Sequence, residues 1–402
     1  MRDEARAQPV TQLDRKAMAG LSTGHMFTDL AQGSLPALLP FLVTKFELSY
    51  TAAAALVLAG TISSSIVQPA FGLWSDARGA LWLLPTGVAL AGIGMAAASV
   101  APAYPLVLLA VLVSGLGVAA YHPEGSKFAS YVSGPRRASG MAFFSVGGNV
   151  GFALGPLVAT FAIITLGLGL EGGLLLAVPG LAAAALLAWL LPYLGRFAPS
   201  EERAAARRLE PGRPGGLALL LFVVGLRSVA HMGLFTFVPL YEIARGNGVA
   251  YGNRLLAFFL LAGAVGTLAG GPLADRFGRR TVLAGSFVVA APLIVVYALV
   301  DSPVGAVALV LSGAAVIGTF GVSLVMSQEY MPGRVGMASG LSIGLAIGLG
   351  GVAALSLGAV ADAIDLEAAV LATAAGPAVA LLVALALPPT PRRRLEAAAA
   401  PV

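Results

Sequence analysis

Six ionisable side chains stand in stretches of the chain that are otherwise apolar or small: His25 and Asp29, His122 and Glu124, and Arg227 and His231. All three histidines of the protein are among them. A carboxylate so placed can exchange a proton if its surroundings alternate between dry and wet, because desolvation favours the neutral form and a nearby cation the charged one. Asp29 and Glu124 are the two carboxylates positioned for this, with His25 and His122 as groups that tune or relay the proton. Pro123 removes the hydrogen bond to the Ala119 carbonyl and tends to kink a helix, leaving an acceptor beside His122 and Glu124. Arg227 keeps its charge in any protein environment, and its planar fork suits a carboxylate or phosphonate. Residues four apart share a helix face, so His25 points with Asp29 and Arg227 with His231. Plainer readings stand beside these: Glu124 meets water or Lys127, Asp29 pairs statically with Arg227 or a histidine, and Arg227 only balances Asp29. Gln68, on a face with Gly60, Ser64 and Gly72, and Asn149 are candidate hydrogen-bonding groups for a substrate, or polar glue between helices.

The segments that must hold these groups are set by composition. Hydrophobic residues make up 58% of the 402 positions and charged residues 11%, where a soluble domain carries about 25% charged. Twelve apolar stretches are long enough to cross a bilayer, near 20–44, 50–74, 80–100, 104–130, 138–168, 172–194, 216–241, 251–273, 281–300, 304–328, 336–360 and 367–388. The one long polar break, Gly195 to Gly216, divides them six and six. The expected architecture is an all-α membrane protein of twelve transmembrane helices in two pseudo-symmetric halves: a tail 1–19, a half 20–194, a linker 195–216, a half 217–388 and a tail 389–402. The first apolar stretch holds His25 and Asp29 and lacks a small-residue cleavage pattern, so it is expected to stay as a span. An intramembrane charge costs about 2.5–3.5 kcal/mol on insertion scales, so the six ionisable groups need a reason.

Orientation follows from basic residues in loops. With both termini cytoplasmic, only Lys45, Arg245 and Arg254 of the 24 Lys and Arg fall outside, and Arg227 lies within a span. The protein is therefore expected in the cell membrane with cytoplasmic termini. That bias accounts for the net charge of +5, and no nucleic-acid partner is expected. With no cysteine there is neither a disulfide nor a thiolate metal site. No zinc-binding histidine pair or serine nucleophile elbow occurs, so neither an enzyme, a metal nor a cofactor is expected.

An internal repeat is visible. "GLWSDARG" (Gly72 to Gly79) matches "GPLADRFG" (Gly271 to Gly278), and "ASGM" from Ala138 matches "ASGL" from Ala338, a spacing of 199 to 200 residues. An even number of spans per repeat makes the halves parallel copies, with a substrate site between them near mid-membrane.

The repeated loop resembles a signature of the major facilitator superfamily. "GPLADRFGRR" (Gly271 to Arg280) matches in full; the first copy has Ala77 where an Arg belongs and no basic tail. The resemblance implies gating roles for Asp76 and Arg78 and for Asp275, Arg276 and Arg279: a glycine turn sets a carboxylate where it can meet the positive N-terminus of a neighbouring helix. "GGNVGFALGP" (Gly147 to Pro156) puts Gly147, Gly151 and Gly155 on one face and resembles part of a motif of proton-coupled drug exporters; helix packing is the alternative, and "GLSIGLAIGLG" (Gly340 to Gly350) offers the same surface in the second half. Together, "GHMFTDLAQGSLPALLP", "YHPEGSKFAS" and "SQEYMPGRVGMASGLSIG" resemble the fosmidomycin-resistance-like exporters within that superfamily. That implies a monomeric exporter in membrane lipid that exchanges protons for a small drug-like molecule, possible anionic substrates included. An uptake symporter or uniporter for an organic anion or sugar is the alternative on the same scaffold.

Overall fold

In a bilayer every backbone N–H and C=O needs an internal partner, and a helix supplies all of them within one segment. The computed structural model describes residues 12–78, 80–134, 137–197, 212–331 and 335–389, and these contain helices and no strand. The first half comprises α1 (Arg15–Phe46), α2 (Tyr50–Arg78), α3 (Leu83–Val100), α4 (Tyr104–Val132), α5 (Arg137–Thr160) and α6 (Ala177–Leu194). The second comprises α7 (Pro214–Ala244), α8 (Val249–Phe277), α9 (Arg279–Leu299), α10 (Pro303–Gly318), α11 (Phe320–Tyr330), α12 (Val335–Ala363), α13 (Leu366–Ala372) and α14 (Ala375–Ala384). Twelve segments are long and apolar enough to span, with α10–α11 and α13–α14 each forming one broken span. The protein is a multi-pass membrane protein. Most of the expected linker, residues 198–211, lies outside the described residues, as do residues 1–11 and 390–402 of the expected tails.

Boundaries differ from expectation where backbone geometry departs from a plain α-helix. The fifth span ends in a π-helical turn, Phe161–Thr165, and the sixth begins as a 3-10 helix, Gly169–Leu176. Gly167 and Gly169 make the turn between them at φ 69° and 59°, where a side chain would be strained. The seventh span runs past the expected end at 241 to Ala244, which matters for Glu242 below.

We call the side on which α1 starts the near face and the opposite side the far face. The repeat is carried in side-chain contacts there. Lys45, at the end of α1, donates to the Ala101 carbonyl after α3 at 2.9 Å. Arg245, in the matching place after α7, donates to the Ala298 carbonyl of α9 at 2.7 Å.

α1 and α5 cross through glycines. A Cβ on Gly147 would strike the backbone of Ser22, one on Gly151 that of Met26, and one on Gly155 that of Gly33 and Ser34. The face seen in the sequence is thus a close helix crossing, in keeping with the packing alternative. Because the obstacles are backbone atoms, Gly151→Leu should lose about 1–3 kcal/mol or more, read as a fall in thermal stability in detergent.

At the far face the halves are joined. The Asp362 carboxylate at the end of α12 accepts from the backbone N–H of Tyr50 at 2.7 Å and of Thr51 at 2.9 Å, capping α2. Across the pseudo-symmetry axis, Asn253 of α8 donates to Thr160 of α5 at 2.9 Å. Asp362→Ala removes a carboxylate from a helix N-terminus, worth about 1 kcal/mol, so the far-face-open population should rise roughly fivefold. The cysteine-free chain allows spin labels at Thr44→Cys and Val249→Cys to report it as a longer distance. An unchanged distance distribution would show the cap does not hold this face.

Candidate functional site

Asp29 is buried on α1, and its two oxygens meet imidazoles from two helices. His122 of α4 lies with Nε2 3.0 Å from Oδ1. His25, one turn earlier on α1, has Nε2 3.4 Å from Oδ2. The two rings meet edge to face with centroids 4.9 Å apart. The other nitrogen of His25, Nδ1, is 2.8 Å from the Phe144 carbonyl of α5, and the Phe144 ring stacks on the imidazole at 4.2 Å. Tyr121, fully buried on α4, donates its hydroxyl to the Leu21 carbonyl and fixes α4 against α1. Gly148 of α5 completes the pocket, since a Cβ there would press on both the His25 ring and the Asp29 carboxylate.

The expected juxtaposition of His25 with Asp29 therefore holds, and the static partner of Asp29 is histidine, not Arg227. Glu124 stands apart. It is 1% exposed, and its Oε2 pairs with Lys127 Nζ at 2.7 Å, the pairing weighed as the plainer alternative. One ring nitrogen from each histidine and a carboxylate oxygen of the cluster lie within 4.8 Å of one another, close enough for a divalent cation. His122 Nε2 lies at hydrogen-bonding distance from Asp29 Oδ1.

Arg227 on α7 is 3% exposed. Its Nη1 donates to Ser323 Oγ of α11 at 3.3 Å, and its guanidinium lies 5.6 Å from the Phe320 ring centroid, a cation–π contact. Among the described residues no carboxylate pairs with it. Gln68, Asn149 and His231 are half-buried and make no hydrogen bond among the described residues.

A profile of the Major Facilitator Superfamily matches residues 21–340 and 247–401. The chain belongs to that superfamily. It is 32% identical over 375 residues to the MFS-type transporter YfnC of Bacillus subtilis, covering 89% of each chain. It is 30% identical over 365 residues to the fosmidomycin resistance protein of Escherichia coli, covering 87% of each. Its fold is similar to that of a bacterial homolog of the human lysosomal transporter Spinster, in an inward-facing and occupied form, with a TM-score of 0.76 at 16% identity over 92% of this chain and 96% of that one. The Escherichia coli fucose:proton symporter gives 0.63 at 16% identity over 93% and 98%. The protein is a transporter of the superfamily and not an enzyme.

Of the superfamily loop residues, Arg279 of α9 pairs with Glu329 of α11 at 3.0 Å. Asp275 is exposed at the end of α8 and makes no ion pair among the described residues, while Arg276 lies over its neighbour Phe277. The side chains of Asp76 and Arg78 lie outside the described residues.

Sequence reasoning counted two intramembrane carboxylates and missed Glu242. Ending the seventh span at 241 put it in a loop, but α7 continues and buries it. Its oxygens accept from Tyr297 at 2.9 Å and Asn247 at 2.7 Å, so it ties α7 to α9.

Proposed function

We propose that this superfamily member is a proton-coupled antiporter that expels a small anionic molecule of phosphonate type across the cell membrane, with both termini cytoplasmic. Residues 20–194 and 217–388 act as the two rocking halves, joined by the linker 195–216, and a single copy suffices. The observation that carries the reading is the buried Asp29 carboxylate held between imidazoles of α1 and α4, a group able to take and release a proton as the path opens to either side. Arg227 supplies the cation for the substrate, since a buried guanidinium with no carboxylate partner among the described residues is poised to receive one from outside the protein. His231, Gln68 and Asn149 add hydrogen-bonding groups. The resemblance to the fosmidomycin resistance protein fits a phosphonate, and the superfamily loops (Asp76, Arg78, Asp275, Arg276 and Arg279) serve as the near-face gate.

The buried cation serves an uptake symporter for an organic anion equally well, and direction separates the two. In proteoliposomes with an imposed pH gradient, an antiporter drives fosmidomycin against the flow of protons, whereas a symporter accumulates it with them. Co-directional movement would refute the export reading. Glu124→Gln, measured in the same assay, should still exchange protons for drug, because its carboxylate pairs with Lys127 outside the cluster.

A further inference from the structure

The hydrogen-bond pattern of the cluster calls for an extra proton between His25 and Asp29. A backbone carbonyl only accepts, so His25 must donate from Nδ1 to the Phe144 oxygen at 2.8 Å. A neutral imidazole carries one proton, so Nε2 would then present a lone pair to the Asp29 Oδ2 atom 3.4 Å away. Two negative ends at that distance repel in a dry site. A proton between the two atoms removes the repulsion, and imidazole is the stronger base of the pair; with it on Nε2 the contact becomes an ion pair, and both nitrogens of the ring face acceptors. His122 needs no such proton: a neutral ring with its hydrogen on Nε2 satisfies the 3.0 Å contact to Oδ1. We propose that His25, as an imidazolium, is the carrier of the transported proton, with Asp29 remaining a carboxylate that stabilises it and His122 a neutral donor that positions Asp29.

The proposal rests on the proton-coupled reading and changes its chemistry. From the residues alone, Asp29 and Glu124 are the carriers and the histidines the helpers; the proposal exchanges the roles of Asp29 and His25. Among the described residues the charged or titratable groups facing His25 are Asp29 on its own helix, and Tyr121 and His122 from α4. From α5 the ring meets Phe144 and Gly148, which do not titrate. When the proton leaves Nε2 for water, the lone pair faces the carboxylate and the His25–Asp29 contact must open. His25 is tied to α5 through Phe144 and Asp29 to α4 through His122, so loss of the proton strains the packing of α1 on both helices. That is a direct path from proton occupancy to helix rearrangement.

The test is nitrogen NMR of protein labelled with 15N-histidine in nanodiscs at neutral pH, the ring-nitrogen pair of each histidine assigned with His25→Gln, His122→Gln and His231→Gln. Expected is an imidazolium pattern for the pair that His25→Gln removes, turning neutral in Asp29→Asn. In fosmidomycin-loaded proteoliposomes, His25→Gln should lose proton movement. Gly148→Ala, which alters no titrating group but pushes on the ring and carboxylate, should also lose it. A neutral His25 in the wild type, or full coupling in His25→Gln, would overturn the proposal. If wild-type protein moves fosmidomycin without protons, the antiport reading fails on its own, and the NMR still reports whether His25 is charged.

Discussion

Arg227→Gln is expected to weaken fosmidomycin binding at least tenfold, with folding retained. The size follows from hydrogen bonds to a charged group, worth about 1.5–3 kcal/mol, where each 1.4 kcal/mol is roughly tenfold. Glutamine keeps a donor for Ser323, whose hydroxyl also donates to the Phe320 carbonyl within α11, so packing of α7 on α11 survives. Arg227→Lys should fall between the two, since it restores charge but not the two-pronged fork that a phosphonate accepts. Binding is read by ligand-induced thermal stabilisation. Unchanged stabilisation in Arg227→Gln would move the anion site elsewhere. A comparable loss for a neutral analogue would show that shape, not charge, is recognised there.

The second large effect concerns Asp29→Asn. Asparagine matches the carboxylate in size and keeps an acceptor for His122, so the α1–α4 contact persists, but no negative charge remains to hold a proton on the cluster. The variant should still exchange fosmidomycin for fosmidomycin across the membrane and fail to pump it, with uphill flux falling to background. Loss of both modes would mean that Asp29 is needed for substrate binding or folding, and retention of both would remove it from coupling. The two variants together separate the site: Arg227→Gln loses affinity, Asp29→Asn loses the energy source.

How far these residues were readable in advance depended on what kind of interaction places them. The twelve spans follow from hydropathy because lipid forces each apolar stretch into a self-satisfied helix, and the His25–Asp29 pair follows from helix periodicity. The His122–Asp29 contact does not follow, since it is set by how α4 crosses α1, and the glycines that allow the approach of α1 to α5 say only that some helix comes close. Phe144 acts through its carbonyl, a group every residue carries, so no sequence signal marks it. Gly148 differs from its neighbour Gly147 only in the register of α5 on α1: one faces the Ser22 backbone and the other the His25 ring. Glu242 was lost by a boundary placed at 241, three residues before the helix ends at Ala244. Asp362 lies just past the stretch expected to end at 360, and only the packing of α12 brings it to the N-terminus of α2. In each case periodicity located the residue on its own helix, and only packing between helices gave it a partner.

The most direct test of the account counts protons against drug. Wild-type protein and Asp29→Asn are reconstituted in proteoliposomes, and proton movement is recorded with a trapped pH dye while labelled fosmidomycin leaves. A fixed, non-zero number of protons per molecule in the wild type, moving opposite to the drug, and none in Asp29→Asn is the predicted result. The same ratio in both proteins, or no protons in the wild type, would contradict it.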